Sequence, residues 1–251
     1  MGRDSAGRHG SEGARKLEYD AIVFDMDGVI LDSMPFHLEA WRRALRDVGI
    51  EVSELDVYLR EGMKWGQTIA ELSQKYGVPV PSSAADEIYD AKRRIFHEIF
   101  SARFFPGVRQ GLNDLISLGY RLGLVTGSTR DVVDRVLDTH PDAVFEAIVT
   151  SDLIEHGKPS PEPYTTAVRM LDTEPQRCLA VENSPSGITS AKTAGLTCYA
   201  VTTSLPEKYL SGADRIFSRP HEVFDLLTGS SAGESKKNES AASGETQAGD
   251  R

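Results

Sequence analysis

Six short apolar runs, at residues 19–24, 121–125, 147–150, 178–181, 198–201 and 215–217, are each followed closely by Gly, Asp, Ser or Pro. That alternation of run and punctuation limits the fold more than any other feature of the chain. Runs of this length read as strands. Segments at helical spacing, 108–118, 129–137, 162–171 and 185–194, separate most of them. Because the strands are apolar throughout rather than at every second position, they are expected to be covered on both faces. That is the signature of a doubly wound parallel sheet in an α/β fold. The longest wholly apolar run is four residues, far short of the ~20 that a membrane-spanning helix needs. With 39% hydrophobic and 26% charged residues the composition is that of an ordinary globular protein, and its two cysteines, Cys178 and Cys198, sit in strand-like runs where buried thiols are expected.

Residues 34–103 break the alternation. Three helical stretches, 36–48, 57–76 (interrupted near Gly62 and Gly66) and 84–100, leave just after the first strand and return near Pro106-Gly107. The spacing predicts a helical cap inserted over the carboxyl end of that strand, where open α/β sheets bind ligands. The expected division is therefore a core of residues 19–33 and 104–229, a cap of 34–103, and polar, disordered tails at 1–18 and 230–251. The tails carry balanced charge, so the net −10 belongs to the body. An acidic body disfavours nucleic acid and anionic membranes as partners. No signal peptide or lipidation motif is legible, so the expectation is a cytoplasmic monomer acting on a small molecule.

Four strand ends carry chemistry. The first strand runs into Asp25-Met-Asp27-Gly28, placing two carboxylates at i and i+2 on one side of its tip. Acids this close call for a cation between them or for different protonation states; a solvated acidic turn is the bland alternative. An EF-hand loop fits worse, since Gly28 is fourth in the loop rather than sixth. Thr126-Gly127-Ser128 offers hydroxyl and amide donors suited to phosphoryl oxygens, or is a simple turn. Lys158, between Gly157 and Pro159, has a restricted backbone and an ammonium that can be aimed at one spot; a surface lysine in a loop is the alternative. Glu182-Asn183 ends another strand, ahead of a helix start at Ser184-Pro185. The pair reads as metal ligands or as a capped helix.

In this order and spacing, Asp25-x-Asp27-Gly, Thr126, Lys158 and Glu182-Asn183 resemble the four motifs of the haloacid dehalogenase-like superfamily. Within it they are most similar to the helical-cap branch of β-phosphoglucomutase-like phosphatases. The resemblance covers about residues 19–227 and departs from the common pattern at Asn183, where relatives often carry Asp; an amide oxygen can ligate Mg²⁺ but brings no charge. It implies a Mg²⁺-dependent phosphohydrolase in which Asp25 attacks phosphorus to form an aspartyl-phosphate and Asp27 shuttles the proton. Thr126, Gly127 and Ser128 would hold the transferring oxygens. Lys158, with Mg²⁺ on Asp25, Asp27, Glu182 and Asn183, would offset a repulsion of roughly 9 kcal/mol between carboxylate and phosphate dianion at 3.5 Å and an effective dielectric near 20.

The same resemblance implies that the cap selects the substrate, with His37, Glu61, Lys64 and Lys92 as candidate contacts. An exposed interhelical turn is the bland reading of residues 60–66. Alternative activities are β-phosphoglucomutase and inorganic pyrophosphatase, the latter using a cap glutamate, for which Glu61 is the candidate. A catalytically idle binding protein on the same fold is disfavoured by the intact Asp25, Asp27, Thr126 and Lys158.

Overall fold

In the computed structural model, which describes residues 18–139 and 145–230, six parallel strands form one sheet in the order β3-β2-β1-β4-β5-β6. They are β1 (Ala21–Phe24), β2 (Arg121–Val125), β3 (Ala147–Val149), β4 (Cys178–Glu182), β5 (Thr197–Val201) and β6 (Arg215–Phe217). All six expected strands are present, shifted at their ends by no more than two residues. The doubly wound parallel sheet is therefore what the chain forms. The expected tails fall, apart from residues 18 and 230, outside the described residues.

Alternate side chains of β1 feed two cores. Ala21 and Val23 pack on one side with Tyr164, Ala167 and Ile188, whereas Ile22 and Phe24 pack on the other with Leu112, Val133 and Phe224. The first face is covered by α7 (Glu162–Met170) and α8 (Pro185–Thr193), the second by α5 (Val108–Ser117), α6 (Arg130–Thr139) and α9 (Pro220–Thr228). With all four β1 residues fully buried, a polar side chain on either face would lose its solvation without a partner. This is why the run is unbroken Ala-Ile-Val-Phe. Cys178 and Cys198 are free and buried in the first core, and burial pushes the Cys178 thiol up to about 11.

Between β1 and α5 the chain forms α1 (Met34–Arg46), α2 (Glu54–Tyr58), α3 (Trp65–Tyr76) and α4 (Ser82–Ile99). The expected interruption is real, but it lies at residues 59–64. Gly66 sits inside α3, where a helix tolerates one glycine at a cost of about 1 kcal/mol. The short helix α2 begins with a reciprocal cap in which the Ser53 hydroxyl accepts from the Asp56 amide at 3.2 Å while Asp56 accepts from the Ser53 amide at 3.0 Å. The same Asp56 carboxylate, buried, also accepts from Lys75 and, at 2.6 Å, from the Tyr76 hydroxyl. It thus clamps both ends of the α2–α3 unit that carries the 59–64 loop. No helix among the described residues is long and apolar enough to cross a membrane.

Candidate active site

Strand order reverses between β1 and β4, so the connections from these neighbours leave on opposite sides and open a crevice at their carboxyl ends. Asp25 and Asp27 leave β1 there, and Glu182 and Asn183 end β4 beside them. Gly28 makes the turn away from the sheet at φ +88°, and a Cβ on it would lie 2.0 Å from the Asn183 side-chain nitrogen, so the position takes only glycine. Asn183 in turn donates to the Asp27 carbonyl at 3.0 Å and to the Ser204 hydroxyl at 2.9 Å.

Lys158 is 2% exposed and donates to Asp25 Oδ1 and Glu182 Oε1, each at 2.6 Å. Burial alone would lower the lysine, but the two carboxylates outweigh it and hold the ammonium above its ordinary range. Asp25 is pushed the other way for a carboxyl. Its burial raises it, as do the charges of Glu182, Asp27 and Glu61, and Lys158 only partly opposes them. Glu182 shares Oε1 between Lys158 and the buried Tyr164 hydroxyl, 2.6 Å away, and takes the Asn183 amide on Oε2 at 3.1 Å. In this arrangement the carboxylate of Glu182, read from the sequence as a metal ligand, anchors Lys158 from behind.

Asp27 is fully buried and has four neighbours. Oδ1 accepts from the Ser33 hydroxyl at 2.5 Å and lies 3.1 Å from His37 Nε2. Oδ2 accepts from Ser128 at 3.0 Å and Thr126 at 3.2 Å. Burial would raise this carboxyl, but the His37 ring and the Ser33 and Ser128 hydroxyls outweigh it and hold Asp27 below the usual carboxylate range. Thr126 and Ser128, expected to face phosphoryl oxygens, spend their hydroxyls on Asp27 in this arrangement.

Two oxygen atoms at the crevice, Asp25 Oδ2 and Asn183 Oδ1, are buried without a hydrogen-bond partner. Buried acceptors are rarely left so. Among the described residues no cluster of three or more His, Cys, Asp or Glu could hold a metal. One carboxylate, an amide oxygen and the Asp27 carbonyl, completed by water and substrate phosphate, is a donor set that suits Mg²⁺. These residues fit that ion without Glu182.

The helical block closes over this crevice. Gly62, at φ +76°, rides on the Lys158 side chain and faces Gly127, where an added Cβ would lie 2.8 Å from the Gly62 Cα. The Ser186 hydroxyl donates to the Glu61 carbonyl. Lys64, which lines the space between the helical block and the sheet, donates to the carbonyls of Ser151 at 2.6 Å and Ile154 at 2.8 Å, strapping that block to the core. His37 stacks on Phe96 at 4.3 Å between centroids, and its Nδ1 lies 3.1 Å from Lys92 Nζ. Burial pushes Lys92 down to about 8 and raises the Glu61 carboxyl. His37, Glu61 and Lys92 thus converge beside Asp27. Tyr164 and Ser33 have no counterpart among the candidates read from the sequence.

Fold and crevice together fit a hydrolase or phosphotransferase built on a doubly wound parallel sheet. The chain belongs to the haloacid dehalogenase-like hydrolase family, which matches residues 22–201. It is 29% identical over 222 residues to a phosphorylated carbohydrates phosphatase of Thermotoga maritima, covering 83% of this chain and 98% of that one. It is also 29% identical over 208 residues to a validoxylamine A 7'-phosphate phosphatase of Streptomyces hygroscopicus subsp. limoneus, covering 82% and 96%. A β-phosphoglucomutase-type solved structure from Bacteroides vulgatus superimposes with a TM-score of 0.77 at 31% identity, covering 85% of this chain and 90% of that one.

Proposed function

We propose that the protein is a Mg²⁺-dependent phosphatase of small phosphorylated carbohydrates, working through an aspartyl-phosphate on Asp25, with residues 34–103 as its cap. The observation that carries this reading is the split environment of the Asp25 carboxylate. One oxygen is fixed by Lys158 at 2.6 Å, while the other is buried, unpartnered and free to act. The carbohydrate class is supported by the activity named for the Thermotoga maritima relative.

Asp25 Oδ2 attacks phosphorus, the bond to the sugar oxygen breaks, and the phosphoryl group rests on Asp25 until water removes it. Mg²⁺ on Asp25, Asn183 and the Asp27 carbonyl would supply the positive charge that keeps Asp25 ionised and offsets the phosphate dianion. Lys158 holds Asp25 Oδ1, so that the attacking oxygen points one way, and Glu182 fixes Lys158. Asp27 moves the proton, passing one to the leaving sugar oxygen and taking one from the water that cleaves the aspartyl-phosphate. Asp27 therefore enters the first half protonated, and its contacts with Ser33, Thr126 and Ser128 stabilise the carboxylate left after that transfer, which the water's proton then returns to the acid. Gly62 and Lys64 seat the cap so that bulk water is kept from the acyl-phosphate.

The test is phosphate release by purified protein with Mg²⁺ from sugar phosphates, nucleotides and pyrophosphate, with interconversion of glucose 1- and 6-phosphates followed in parallel. Sugar phosphates should turn over fastest. An Asp25→Asn variant should lose at least a thousandfold, and equal rates in the two proteins would end the proposal.

A further inference from the structure

A cavity of about 220 Å³ lies between cap and core, beside His37 and Ser128, the two residues that reach Asp27 from opposite sides. A leaving oxygen that exchanges a proton with Asp27 therefore projects its alcohol into this space. The cavity is unusually aromatic on one side. Both tryptophans of the chain, Trp41 and Trp65, line it together with Tyr89 and Phe96. Trp65 opens α3 and Tyr89 lies in mid α4, and their rings stack at 4.8 Å between centroids with planes 10° apart. Each ring spends one face on the other, and both residues line the cavity. The rest of the lining is polar, with backbone and hydroxyls from Gly127 to Thr129 and at Ser151 beside the charged side chains of Glu61, Lys92, Arg93 and Asp152.

We propose that Trp65 and Tyr89 are specificity-determining residues that read the ring of the leaving alcohol. The substrates are then phosphomonoesters of cyclic sugars or cyclitols rather than of open-chain alcohols. This deepens the phosphatase reading and rests on it. The physical basis is the two-sided character of a sugar ring. Its axial C–H groups form an apolar face that an aromatic plane covers favourably, and its hydroxyls point sideways to the polar groups of the remaining lining. A flexible polyol chain presents no such face and pays more entropy to be ordered, and pyrophosphate presents none at all.

Wild-type protein should therefore show a kcat/KM for glucose 6-phosphate at least about tenfold above that for glycerol 3-phosphate, the size of effect that one apolar wall can give. Trp65→Leu and Tyr89→Leu should each remove most of that preference by raising KM for glucose 6-phosphate, leaving glycerol 3-phosphate within about twofold. Trp65→Phe, which restores a ring, should recover it. A purely structural role would lower both substrates together and would overturn the inference, as would a wild type without preference. Binding gives a second reading that does not need turnover. Since the only tryptophans border this cavity, glucose 6-phosphate should change the fluorescence of an Asp25→Asn variant and glycerol 3-phosphate should not; equal responses would also overturn it. If the wild type releases phosphate from no ester, the phosphatase reading fails and takes this one with it. If it hydrolyses both esters alike, only the ring preference fails.

Discussion

Replacing Lys158 by Met tests the electrostatics of the site through stability as well as rate. The side chain is 2% exposed and its ammonium makes two hydrogen bonds of 2.6 Å, to Asp25 and Glu182, which are themselves 1% and 0% exposed. Methionine fills nearly the same volume, so the cost is electrostatic. Removing one partner of a buried ion pair costs about 3–5 kcal/mol, because the charge left behind has neither water nor a counter-ion. Here two carboxylates are left, with Asp27 close by. The sign of the pH dependence follows. Asp25 is already raised by burial and by its acidic neighbours, and Lys158 is the cation that opposes this. Without the lysine its folded-state value rises further above the unfolded one. The penalty is then fully present above the folded value and shrinks as the pH falls toward the unfolded value near ~3.9. Each carboxylate that takes up a proton in that window returns about 1.4 kcal/mol per pH unit. Urea unfolding of the metal-free proteins at pH 8 and pH 5 reads both effects. The expected result is a loss of about 3–5 kcal/mol at pH 8 and clearly less at pH 5. A gap below about 1 kcal/mol at pH 8, or one that widens at pH 5, would refute the reasoning.

Two further outcomes follow from the same geometry. Asp56→Asn should cost the cap about 2–3 kcal/mol at pH 7 by weakening the bonds from Ser53, Tyr76 and Lys75, with the half-exposed Lys75 counting least. Asp56 is held below the usual carboxylate range, so its contribution is present above the unfolded value near ~3.9 and lost as pH falls through the folded one. Unfolding curves of variant and wild type should separate at pH 7 and approach one another at pH 3, and coincident curves at pH 7 would count against the clamp. Asn183→Asp, by adding charge at the unpartnered Oδ1, should tighten Mg²⁺ binding about tenfold in calorimetric titration, whereas unchanged affinity would mean that Asn183 does not touch the ion.

The strand-tip residues were legible because the apolar runs and their punctuation locate the carboxyl edge of the sheet without any tertiary knowledge. Asp25, Asp27 and Asn183 all stand next to a break in a run, and Lys158 stands out between Gly157 and Pro159. Tyr164 was not, because at its place in α7 it reads as one more apolar residue facing the core. Only the fold brings its hydroxyl to Glu182, which is 18 positions away. Ser33 was not either, since nothing local says that the chain turns back to place it on Asp27. Nothing local says either that Lys64, a candidate substrate contact, satisfies two main-chain carbonyls of the core. Glu182 was read by its charge alone, as a metal ligand, since nothing local says that Lys158 and Tyr164 both reach its Oε1. The short helix α2 did carry a signal, Ser53 three residues before Asp56, which marks a helix start with an acid in place of the usual Glu or Gln.

The central claim is that the phosphoryl group passes through Asp25. Wild-type protein with Mg²⁺ should be mixed with the phosphate ester it hydrolyses fastest, quenched in acid within one turnover, digested and weighed by mass spectrometry. The account predicts one phosphoryl group on the peptide containing Asp25, carried by that residue and missing in Asp25→Asn. Turnover with no phosphoryl group on Asp25, or with the group on another side chain, would contradict it.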